Sequence, residues 1–249
     1  MDGLIDFDSL IKTASCVGLD AIAITDHDTI EGAKEFQKTI KAKNLNLQLI
    51  IGEEKTLEDG SHFIGLFLQE PIQSGDLAGA ISEIQQQGGL CLVPHPFRRK
   101  DGLLRDGAER MEMLKGVGAG FELFNAKCGY RENKLAEEFL LKNGLSPFAG
   151  SDAHYESDLG ESLNVLDWQG DLRTTVERML RRQTPFELRG RKQTPMSRER
   201  KYAPLYYRFK KMLRLPKPLL PAAKQCYRWY RNKKYGIGLK PLVPLYRHA

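Results

Sequence analysis

Through residues 1–194 the apolar positions switch repeatedly between a helical and a strand period. Phe7, Leu10, Ile11, Ala14 and Val17 stand three or four apart, one face of a helix that Gly18 stops. The β-branched run AIAIT (21–25) then reads as a short strand. The same periods predict helices over 32–43, 76–87, 107–115, 132–142 and 172–182, and strands over 47–51, 62–68, 90–93, 120–124 and 146–150. The helix over 76–87 ends at Gly88-Gly89, a left-handed stop. Strands alternating with helices predict an α/β fold of parallel strands with helices outside, as an open doubly wound sheet or a barrel.

Beyond residue 190 the alternation fails. From Pro195 to Ala249 there are 15 Lys or Arg against the single acid Glu199, with seven of the twelve prolines and seven of the nine tyrosines. The formal net charge of +6 therefore divides into an acidic body, 1–194, at −8 and a basic extension, 195–249, at +14. No run approaches 18 apolar residues, so no transmembrane helix is expected. The acidic start MDGLIDFDSL lacks the basic region of a signal peptide. Cys16, Cys91, Cys128 and Cys226 form no CxxC pair, which argues against a disulfide scaffold or a thiolate zinc site and for a cytoplasmic setting.

Candidate chemistry centres on histidine. His27 follows the strand AIAIT, His95 follows LCLV, His154 follows SPFAG, and His62 opens HFIGLFL just past Glu53-Glu54. Each has an ordinary explanation alone: a polar strand end, a helix-capping Asp26, Asp28 or Asp152, a solvated turn at the two glutamates. Together they place imidazoles and carboxylates at the strand ends where parallel α/β folds gather their functional loops. Such N/O donors suit Zn, Mn or Fe, and carboxylates can bridge two ions.

The segments ITDHDTIEG (24–32), GEE with HFIGLF (52–54 and 62–67), VPHPFR (93–98) and GSDAH (150–154) resemble the PHP (polymerase and histidinol phosphatase) superfamily, over about residues 2–190. The resemblance implies a distorted (β/α)7 TIM-like barrel holding two to three divalent metal ions (Zn, Mn or Fe). It also implies a metal-dependent phosphoesterase acting by metal-activated hydroxide. By position, Asp2 is similar to the acid of the family's Ser-Asp-Gly segment and His27 to the ligand of its second motif. Glu54, with Glu53 as the adjacent alternative, resembles the bridging carboxylate. His62 and His95 resemble ligands of the second metal, Asp152 and His154 ligands of the first and third. Glu122 stands where relatives often carry an acid and reads equally well as a strand-edge carboxylate.

One departure is large. The family opens with a strand ending in His-x-His, and no histidine precedes His27 here. Either the start is truncated or the chain is a degenerate member with a damaged first metal site; the intact later motifs favour truncation. A barrel missing its first strand is therefore expected.

In a complete site the catalytic set would be Glu54, Asp152 and Arg98. Asp152 and a metal-linked water near His154 would handle protons, and Arg98, beside Arg99, would grip a phosphate with its planar fork or remain a solvated cation. The stretch between HFIGLFL and VPHPF holds one helix and no cap domain, so phosphomonoesters, nucleotides and nucleic-acid ends all fit as substrates. From Met196 onward RERKY, YYRFKK and YRWYRNKKY interleave cations with aromatics, and 205–215 reads as a short amphipathic helix stopped by Pro216, Pro218 and Pro221. This composition suits nucleic acid, an anionic membrane surface in a peripheral location, or packing back on the acidic body. A second reading is a catalytically impaired PHP barrel acting as a binding or scaffold module through this tail. A third, a C–N hydrolase on a similar barrel, lacks the carboxylated-lysine pattern.

Overall fold

The computed structural model describes residues 5–107, 109–168, 170–194 and 242–248. Six strands form one sheet in chain order: β1 (Ala21–His27), β2 (Gln48–Thr56), β3 (His62–Leu66), β4 (Leu90–Val93), β5 (Gly120–Asn125) and β6 (Ser146–Gly150). The sheet curls into a half-barrel whose two edges are β1 and β6. Between those edges opens a cavity of about 300 Å³, lined by apolar residues including Ala23, Ile50, Ile64, Leu92 and Phe148.

The all-parallel expectation needs correction at β3. Strands β1–β2, β4–β5 and β5–β6 pair in parallel, whereas β3 runs against both β2 and β4. The cause is chain length, because five residues cannot make the crossover that a parallel neighbour requires. They make a tight reversal instead. Leu57 N donates to Ser61 O at 2.8 Å, Gly60 takes φ +75°, and the Asp59 carboxylate accepts from Ser61 N at 2.8 Å. The reversal serves the site. His62, first in its strand, pairs with Thr56 at the end of β2 and so lands on the rim where the parallel strands terminate.

Helices α1 (Phe7–Val17), α2 (Glu31–Ala42), α3 (Leu77–Gln86), α4 (Met111–Gly116), α5 (Tyr130–Lys142) and α6 (Leu172–Leu180) complete the alternation. Gly18 and Gly88 hold the left-handed stops, at φ +69° each. A large core unites Phe63, Ile84, Leu114, Phe121 and Leu140, and a smaller one packs Leu10, Ala14, Phe36 and Leu47 around α1 and α2. No helix among the described residues is long and apolar enough to cross a membrane.

Three strands stand outside the predicted set: β7 (Ser162–Leu166), β8 (Phe186–Arg191) and β9 (Leu242–His248), which form a second, antiparallel sheet. Their short sequences, interrupted by polar or charged residues, carry little hydrophobic signal. Strand β9 closes on β8 through Tyr246 and His248 rings 5.7 and 5.5 Å from Phe186, and through an Arg247–Glu187 pair at 2.6 Å. The rest of the basic extension, with its expected helix at 205–215, lies outside the described residues. Strand β7 also serves β6: Asn164 accepts from Ala149 N at 2.9 Å and donates to Ala149 O at 2.8 Å.

Gly52 sits where three strands press together. A Cβ there would lie 2.7 Å from the Gly65 carbonyl oxygen and 2.9 Å from methyl groups of Leu66 and Thr25. Gly52→Ala should therefore destabilise the protein by about 1–3 kcal/mol, the usual cost of overpacking, as a lowered midpoint in urea unfolding.

Candidate metal centre

Alternation along β2 turns Glu53 and Glu54 to opposite faces. Glu53 is fully buried, and its carboxylate accepts from Ile72 N at 2.8 Å; burial raises its pKa. Glu54 turns into the half-barrel and meets the imidazoles. Its Oε1 lies 2.8 Å from His62 Nδ1 and 3.0 Å from His95 Nε2, and its Oε2 lies 3.9 Å from His27 Nε2. Burial alone would raise the Glu54 pKa. The hydrogen bonds from His62 and His95, with the charges of His95 and His27, reverse that and hold it well below the usual carboxylate range. The rings crowd edge to face, with centroids 4.7 Å apart for His27–His62 and 5.3 Å for His62–His95.

Among the described residues two sets of donor atoms each lie within 4.8 Å of one another: His27, Glu54 and His62, and His62, His95 and Asp101. Three imidazoles and two carboxylates converging at one rim fit a divalent cation by donor chemistry, since Zn, Mn and Fe all accept nitrogen and oxygen ligands. Asp101 is absent from the sequence-derived set. It stands in the run RRKDG, where nothing in the spacing distinguishes it from a solvated acid. Only the fold shows it 3% exposed, with its carbonyl accepting from His62 N at 3.0 Å.

A second group forms the opposite lip. Asp152 accepts from Arg98 Nη1 at 2.8 Å and from Asn125 Nδ2 at 3.3 Å, and His154 Nδ1 lies 3.4 Å from Asp152 Oδ1. Asp152 and His154 share a recess of about 160 Å³ with His27 and Glu54. Arg98 holds Asp101 through Nε as well as Asp152, so two of its nitrogens are engaged by carboxylates rather than open to a phosphate. Arg99 is exposed on the same loop. The loop behind the lip is fixed by Asp158, which accepts from His154 N and Tyr155 N and pairs with Lys127 at 2.5 Å in full burial. Asp2 lies outside the described residues.

Three rim residues have left-handed backbone: Asp28 at φ +54°, His95 at +29° and Asp152 at +49°. Such conformations cost free energy and concentrate at functional sites.

Glu122 lies beneath the rim, 3% exposed, and accepts from the His95 backbone N–H and from Asn125 Nδ2. Gly150 leaves room for it, since a Cβ there would stand 1.9 Å from Glu122 Oε1. Burial pushes its pKa up to about 8, the Asn125 and His95 hydrogen bonds oppose the rise, and the charges of Asp152 and Glu54 add to it. The folded chain thus retains a proton that the unfolded chain releases near 4.5, and its stability declines as pH rises from there towards about 8. Glu122→Gln removes that titration. In chelator-treated protein its stability relative to wild type should increase between about pH 5 and pH 8, measured by urea unfolding at each end of the window.

Among curated proteins the chain is 35% identical over 119 residues to one uncharacterized protein of Methanocaldococcus jannaschii, covering 47% of this chain and 65% of that protein. It is 35% identical over 125 residues to another from the same organism, covering 48% of this chain and 52% of that one. The chain thus spans between half and two thirds of the length of these relatives. A solved structure from Bacteroides vulgatus, described as a two-domain protein containing a predicted PHP-like metal-dependent phosphoesterase, superposes with a TM-score of 0.58 at 22% identity, covering 75% of this chain and 60% of that one. It shares the fold. The PHP domain model matches residues 1–143 and a PHP-associated model matches 130–181. With more than half its length matched, and with His27, His62 and His95 gathered about Glu54 at one rim, the chain belongs to the PHP domain family.

Proposed function

We propose that the protein is a divalent-metal-dependent phosphoesterase, with phosphomonoesters, nucleotides or nucleic-acid ends as its substrate class. The observation that carries this reading is the Glu54 carboxylate within 4 Å of three imidazoles at the rim of the half-barrel. Membership of the PHP family supports it, as does the shared fold with the Bacteroides protein.

His27, Glu54, His62 and His95 would hold the cation, with Asp152 and His154 reaching it from the opposite lip. When bound, such a cation supplies Lewis acidity to a phosphoryl oxygen and lowers the pKa of water towards about 7. Glu54 offers two oxygens to neighbouring positions, which suits a bridging role. His154, more exposed than the other three imidazoles of the site, is placed to exchange protons with solvent. Arg98 brings positive charge to the lip while keeping Asp152 in place. The cations and aromatics of residues 196–241 support contact with a polyanion, either nucleic acid or an anionic membrane surface. The same tail favours a second reading, a non-catalytic PHP barrel that serves as a scaffold.

Calorimetric titration of the full chain with Mn²⁺ or Zn²⁺ should show binding, and p-nitrophenyl phosphate or a nucleotide should be hydrolysed in a chelator-sensitive manner. Ion binding without turnover on any phosphoester would favour the scaffold. Glu54→Gln removes the charge common to the cluster. It should weaken ion binding by more than about 100-fold, the upper figure for residues that merely support ligands, and abolish turnover.

A further inference from the structure

His95 faces a carboxylate on each side. Its Nε2 points to Glu54 Oε1 at 3.0 Å, while its Nδ1, on the other side of the ring, lies 3.6 Å from Asp101 Oδ1. The Nδ1 atom is buried and makes no hydrogen bond among the described residues. A buried ring nitrogen left that way is costly, and the Asp101 carboxylate is the acceptor that faces it. Asp101 is well held for the purpose. Arg98 Nε donates to the same Oδ1, and the Asp101 carbonyl accepts from His62 N at 3.0 Å, which ties the loop to β3.

His62, His95 and Asp101 also meet the distance criterion for a separate cation position. The directions of the imidazole nitrogens argue against that use. His95 Nε2 is turned to Glu54, so an ion beside Asp101 would have to take Nδ1, and there the Arg98 guanidinium that donates to Asp101 Oδ1 already supplies positive charge. We propose that Asp101 is a positioning residue: clamped by Arg98, it accepts the Nδ1–H of His95 and thereby presents Nε2 to an ion held by Glu54. Imidazole ligands are commonly fixed in this way through their far nitrogen. Because Arg98 also holds Asp152, the clamp sets the two lips of the site in one register. The inference rests on the reading of His95 as an ion ligand.

The test uses full-length protein stripped with chelator and titrated with Zn²⁺ or Mn²⁺ in a calorimeter, wild type beside Asp101→Asn. The variant should bind about 10–100-fold more weakly, the range for loss of such a partner. Unchanged affinity in a folded variant would overturn the proposal. Wild type that binds neither ion would instead overturn the ligand reading itself. Should Asp101→Asn fail to fold, long-range ¹H–¹⁵N spectra of Zn²⁺-loaded wild type decide the matter. Protonated Nδ1 on His95 is expected. Unprotonated Nδ1, coordinating from the Asp101 side, would make Asp101 a fellow ligand and end the positioning role. A loss of thermal stability in Asp101→Asn with affinity intact would mark the contact as structural only, and so counts against the proposal.

Discussion

A carboxylate enclosed by imidazoles governs the rim of this molecule. Glu54 is 8% exposed, and an ionised acid so placed is tolerated only if its oxygens are answered by donors. His62 and His95 answer one oxygen and His27 approaches the other. The architecture follows from that need. Parallel strands deliver His27 and His95 at their ends, and the reversed β3 delivers His62 at its start. The buried ring N–H groups need an acceptor, and the carboxylate needs donors. Each half makes the other admissible.

Much of this was legible beforehand. The six strands of the half-barrel and six helices were signalled by their periods, since short apolar runs alternating with amphipathic stretches leave little choice. The four histidines drew notice by their places at strand ends, and Glu54 was preferred to Glu53 only through the resemblance to the family's pattern. Strand direction was less accessible. HFIGLFL reads the same in either orientation, and only the brevity of the 57–61 link betrays the reversal. Strands β7, β8 and β9 were missed because SLNVL and FELRGR interleave polar or charged residues with apolar ones, and the third strand of their sheet, Leu242–His248, is remote in sequence. Asp101 was missed for a similar reason. Its significance lies in what faces it across the rim, and a run of charged loop residues holds no trace of that.

The distinction between Glu53 and Glu54 shows how one residue of register decides chemistry. Both are buried, and adjacent positions on a strand differ only in the face they occupy. One secures the chain at Ile72 on the far side; the other enters the half-barrel. A slip of a single position would exchange their surroundings and dismantle the cluster. The tight packing at Gly52, two residues before Glu54, opposes any such slip.

Asn164 has a different bearing. Its amide makes both bonds that a neighbouring backbone would make at Ala149, so a side chain impersonates a strand along the open margin of β6. Margins of this kind invite templating by other polypeptides. Any newcomer must evict the amide before it can zip onto that margin, so a single side chain guards the β6 edge at Ala149 against adhesion to its own kind.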